Sequence, residues 1–117
     1  MRKSIVSQLQ FDSGVALHAV GTIYADGNSA IQLVDAATRE PVAKASVNMG
    51  IGLTNNVCFI KDYAENAGMA KTLVDAGIIE LVPQSAIDAG YSYVELYYIK
   101  DHDVLVDIQE AHKRLAG

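Results

Sequence analysis

The chain has 117 residues, half of them hydrophobic and a fifth charged, which sets a single globular domain over residues 1–117 and excludes a disordered or two-domain protein. A net charge of −5 disfavours direct nucleic-acid binding, and a lone cysteine, Cys58, excludes an internal disulfide. No apolar run approaches the ~20 residues needed to cross a bilayer and no secretory signal is evident, so a reducing cytoplasm with no membrane contact is expected.

Residues 3–11 alternate loosely and predict a first strand, closed by the turn cluster Asp12-Ser13-Gly14. Residues 15–25 predict a long strand, apolar on both faces, in which Gly21 marks a bulge or bend. Asp26-Gly27-Asn28-Ser29 reads as a hairpin turn into a strand over 30–35. A second turn over 36–41 leads to a strand over 42–48, in which Val42, Lys44, Ser46 and Asn48 alternate with Ala43, Ala45, Val47 and Met49. A glycine-bearing loop over 49–56 precedes a strand over 57–61.

A helix follows, capped by Asp62 or Asn66 and running to about Ala76, with Gly77 as its stop. Residues 78–82 form a short apolar segment ended by Pro83, and 84–90 a connector. Residues 91–100 give the clearest strand signal in the chain. A C-terminal helix, capped by Asp101 or Asp103, carries Val104, Leu105, Ile108, Ala111 and Leu115 as one apolar stripe. The expected fold is α+β: an antiparallel β-meander of about five to six strands with two helices packed on it.

The charge is unevenly placed. Residues 1–74 balance six acids against six bases, whereas residues 75–110 hold eight acids and one base, Lys100. The whole excess lies in the last third, a field that favours a basic partner.

Chemistry-bearing motifs are sparse. His18, His102 and His112 have no paired-ligand spacing, and Asp101-His102-Asp103 reads as a helix start. Met49-Gly50-Ile51-Gly52-Leu53 lacks the third glycine of a dinucleotide fingerprint and the lysine of a phosphate loop. Cys58, inside Asn56-Val57-Cys58-Phe59-Ile60, reads as a buried strand residue. No metal or cofactor is implied, and an enzyme is not the expectation.

Two polar clusters remain. Lys61, Asp62, Tyr63, Glu65 and Asn66 fall at a strand-to-helix junction, where they serve either as a contact site on a fixed loop or as caps and packing anchors. On the last strand Tyr91, Tyr93, Glu95 and Tyr97 share a face with Ile99, opposite Ser92, Val94, Leu96 and Tyr98. That face is either an exposed tyrosine row, suited to partner binding together with Asp101, Asp103 and Asp107, or it is covered by a helix.

The segments 22–35, Glu40-Pro41-Val42-Ala43, Val47-Asn48, 60–69 and 73–79 resemble a family of small proteins of unassigned chemistry, encoded in bacterial genomes, phages and conjugative or integrated elements. The resemblance covers about residues 20–99, and Lys61-Asp62-Tyr63-x-Glu65-Asn66-x-Gly68-Met69 is its most specific part. The genetic setting of the family implies proteins that mobile elements use in the host cytoplasm against bacterial defence, anti-CRISPR inhibitors among them. On this reading the protein blocks a nucleic-acid-binding effector, such as a CRISPR–Cas component, by protein–protein contact. Two alternatives stand beside it. One is a small enzyme or sequestering protein for a nucleotide-type signal, using the Lys61–Asn66 cluster with His18. The other is a homodimeric structural module joined through the strand over 15–25.

Overall fold

The computed structural model describes residues 2–5, 15–90 and 92–116. Among them the fold is α+β, with eight strands and two α-helices. The strands are β1 Leu17–Ile23, β2 Ser29–Asp35, β3 Pro41–Lys44, β4 Ser46–Val47, β5 Val57–Ile60, β6 Ile79–Leu81, β7 Ile87–Asp88 and β8 Tyr93–Ile99. The helices are α1 Met69–Asp75 and α2 His102–Ala116, and a 3-10 turn covers Ala64–Asn66.

The patterning predicts one meander, whereas the strands divide three and five between two antiparallel sheets. The first has order β1-β2-β3; the second has order β4-β5-β8-β6, with β7 also paired to β8. The predicted strand over 42–48 serves both sheets and breaks at Ala45. The Ala45 N–H donates to Ile31 of β2 at 2.9 Å, and its carbonyl accepts from the Lys61 amide at 2.8 Å, just beyond β5. Ala45 is fully buried, so a small side chain sits where the sheets part. Ser46 reinforces the joint: its hydroxyl accepts the Ile31 N–H at 3.0 Å and pairs with the Tyr24 hydroxyl at 2.8 Å.

The turns follow their chemistry. Gly27 has φ of 90°, a left-handed conformation that needs no Cβ, and the Asn28 amide donates to Asp26. Asn28 is buried and fixes the loop over 49–56: its side-chain amide donates to Asn48 and the Ile51 carbonyl, and its oxygen accepts the Leu53 N–H. In the β2–β3 turn Asp35 accepts the amides of Ala37 and Thr38.

Gly21 is not a bulge. It stays in register with Ile31, and its smallness serves packing instead. A Cβ at Gly21 would lie 2.4 Å from the Val104 carbonyl and 2.8 Å from Ile108, so the missing side chain is what lets α2 lie on β1. The outer edge of β1 is closed as well. Leu17 exchanges backbone bonds with Ile5, the Ala19 carbonyl accepts from Arg2, and the Gly21 N–H donates to Asp107. These bonds occupy backbone groups at Leu17, Ala19 and Gly21 on the side of β1 away from β2. Of the predicted first strand, Ile5 bridges Leu17; residues 6–14, including the turn at Asp12, lie outside the described residues.

The helix expected to start at Asp62 or Asn66 begins later. Ala64 and Gly68 both have positive φ, which splits the segment into the 3-10 turn and α1. Asp62 nonetheless accepts the Ala70 amide at 2.9 Å and so satisfies a first-turn donor of α1. Asn66 is no cap: it is buried and donates to the Lys44 carbonyl. Gly77 and Ile78 end α1 by donating to Val74 and Leu73, the paired bonds of a Schellman stop. The connector over 84–90 contains β7, missed because two residues carry too little periodicity. On α2, Val104, Ile108 and Ala111 are buried, while Leu115 is 66% exposed and leaves the predicted stripe.

Candidate functional site

The last strand was the leading sequence candidate, and it divides. β8 lies between β5 on one side and β6 and β7 on the other. Its face bearing Tyr93, Glu95, Tyr97 and Ile99 is core at one end and open at the other. Ile99 and Tyr97 are buried, Tyr97 at 7% exposure, with Cys58 beside Tyr97 on β5. Glu95 is exposed, and Tyr93 is 71% exposed. A continuous exposed tyrosine row is therefore not what forms, because the cluster around Ile60, Met69 and Leu73 covers the Tyr97 end. Tyr91 lies outside the described residues.

Two of the three helix aspartates are committed inside the fold. Asp101 is 8% exposed and caps α2, accepting the Val104 N–H at 3.2 Å. Asp107 accepts the Gly21 N–H at 2.9 Å and forms an ion pair with Arg2. The guanidinium of Arg2 is held above its ordinary value chiefly by that hydrogen bond. Asp103 is half-buried in the first turn of α2. These acids do not form the outward-facing patch expected from their density in the sequence, since helix capping and edge closure employ two of them.

The open end of β8 gains other acids instead. Asp88 of β7 pairs directly with Tyr93 and is exposed. Burial pushes the Tyr97 hydroxyl up, and the nearby charges of Glu95 and Asp62 add to the shift. Tyr93, Glu95 and Asp88 stand together on one face of the sheet, two carboxylates beside an exposed aromatic. Asp88 was missed because it sat in a stretch read as a connector.

Three of the junction cluster, Lys61, Glu65 and Asn66, border a groove of about 550 Å³. Lys61 reaches Glu65 at 2.5 Å and lies 5.6 Å from the Tyr63 ring. Lys61, Glu65 and Asn66 line the groove with Tyr24, Lys44 and Ser46, and Lys44 stands 5.3 Å over the Tyr24 ring. Burial pushes the Tyr24 hydroxyl up, while its bond with Ser46 opposes the shift. Neither Asp62 nor His18 borders this groove, so it does not bring Lys61, Asp62 and His18 together. His18 lies on β1 opposite Val34. Tyr24 was invisible as a groove residue because only the hairpin turn brings it beside Ser46.

Burial holds the Cys58 thiol near a pKa of about 12, so it stays protonated at neutral pH. Among the described residues no group of three or more His, Cys, Asp or Glu side chains is placed to hold a metal ion, and no helix is long and apolar enough to cross a membrane.

No family model, no curated protein and no solved structure matches the chain. The resemblance to a family of mobile-element proteins rests on the quoted residues alone.

Proposed function

We infer that the protein is a non-enzymatic binding protein that docks on a basic protein partner through the open end of β8. The observation that carries this reading is the 71% exposure of Tyr93 on a regular strand, flanked by Glu95 and by Asp88 across the ladder. A tyrosine held out from a hydrogen-bonded sheet offers large contact area with little entropy left to lose, and the carboxylates around it set the sign of the partner. The family resemblance adds the class of partner: a nucleic-acid-handling effector of bacterial defence, a CRISPR–Cas component among the candidates, whose basic channel the acidic surface would occupy.

Affinity capture from a bacterial host lysate, with wild type beside Tyr93→Ala and Glu95→Lys, tests the reading. It predicts a basic protein captured by wild type, released by added salt and lost in both variants. Capture that both variants retain in full contradicts it.

A further inference from the structure

All three arginines of the chain line one cleft of about 530 Å³. Arg2 comes from the N-terminal segment, Arg39 from the β2–β3 turn and Arg114 from the last turn of α2, so the fold gathers them from distant positions. In a chain of net charge −5 this is a local concentration of the opposite sign. Arg2 is fixed in place: one nitrogen donates to the Ala19 carbonyl at 3.0 Å and another to Asp107. Its charge is thereby matched. Glu110, the second carboxylate of the cleft, faces Lys113 at 3.7 Å.

Arg39 and Arg114 are different. Among the described residues the ion pairs are Arg2–Asp107, Lys61–Glu65, Lys71–Asp75 and Lys113–Glu110, and neither Arg39 nor Arg114 takes part. Arg39 also sits at φ of 69°, in the left-handed region that other residue types adopt more readily. A long guanidinium side chain is thus present where the backbone favours glycine or asparagine.

A guanidinium is a planar fork of donors that fits oxygens arranged around phosphorus or a carboxyl carbon. Two such forks that take part in no ion pair among the described residues, beside a third held rigid, suit a compact group with several anionic oxygens. Val34 and Pro41 supply an apolar wall and Gln32 a neutral hydrogen-bonding group, room for an organic substituent behind the anion. We propose that this cleft binds a phosphate monoester, with the phosphoryl group between Arg39 and Arg114 beside the fixed Arg2. The site lies on the β1–β2 sheet and α2, so it stands or falls independently of the β8 surface.

Titration of the isotopically labelled protein with adenosine monophosphate and, separately, with inorganic phosphate, read by nuclear magnetic resonance, tests the proposal. Saturable shifts are expected at Arg39 and Arg114. Arg39→Ala and Arg114→Ala should each weaken binding about tenfold, equivalent to ~1.4 kcal/mol. Lysine at both positions keeps the charge but loses the fork, and should still weaken binding by about threefold or more. Lys44→Ala, in the other groove, should leave it unchanged. Tighter binding of the nucleotide would show that the apolar wall engages the organic part, and equal binding would assign the site to the phosphoryl group; both support the proposal. No saturable shift up to roughly 10 mM ligand, or shifts unchanged in the Arg39→Ala/Arg114→Ala double variant, would overturn it.

Discussion

The Gly21 amide donates to Asp107 Oδ2 at 2.9 Å, tying the outer edge of β1 to the middle of α2. The contact exists because residue 21 has no side chain: a Cβ would lie 2.4 Å from a backbone carbonyl of the helix. Gly21→Ala should therefore cost about 1–3 kcal/mol, the range for overpacking a close contact, by pushing α2 off the sheet. Urea unfolding measures it. A cost within about 0.5 kcal/mol, the range of a neutral surface change, would show that α2 does not rest on this strand.

Asn28 should control the loop over 49–56. Its side chain bonds Asn48, the Ile51 carbonyl and the Leu53 amide. Asn28→Ala removes these partners from a buried position and should destabilise by about 1–3 kcal/mol. Hydrogen exchange at the Leu53 amide should accelerate, while exchange at Ile31 inside β2 should change only as global stability does. Equal acceleration at both would mean that the loop is held by other contacts.

The acid limb of stability should carry the signature of Asp26 and Glu65. Hydrogen bonds from Asn48 and the Asn28 amide hold the Asp26 carboxyl below its ordinary value, and the Lys61 side chain does the same for Glu65. In both cases the ionised form is the one bonded in the fold. The contribution is complete above the ordinary carboxyl value near pH 4 and is lost as pH falls through the lower folded value. Urea midpoints between about pH 2 and 6 should fall on acidification, and Asp26→Asn should flatten that fall.

Cys58 should resist modification. It is 1% exposed, and burial raises its thiol to about 12. A thiol reagent at pH 8 should label it only through unfolding, so the rate should rise with urea. Rapid labelling without denaturant would contradict the packing of β5 against β8.

The α+β class was legible in the residues because alternation and caps act locally. Asp26-Gly27 marks its hairpin, Gly77 stops α1 and Asp101 caps α2, each through bonds within a few positions. The split into two sheets was not legible, since it depends on Ala45 bonding Ile31 on one side and Lys61 on the other, partners distant in sequence. The same limit governs the site. Alternation placed Tyr93, Glu95 and Tyr97 on one face, yet only packing decides that Tyr97 is buried and Tyr93 is not. Charge density along the chain cannot distinguish Asp101 and Asp107, which bond to backbone groups of α2 and β1, from Asp88 and Glu95, which are exposed.

The central claim is that the Tyr93–Glu95 end of β8 is a contact surface for a basic partner. Its most direct test is the affinity of the captured partner for wild type, Tyr93→Ala, Glu95→Lys and Asp103→Asn, measured at two salt concentrations. The account predicts a loss of about 2 kcal/mol or more for Tyr93→Ala, the size of a binding hot spot. It also predicts a slower association and weaker salt dependence for Glu95→Lys, and little change for Asp103→Asn. Affinity unchanged by Tyr93→Ala and Glu95→Lys would contradict it.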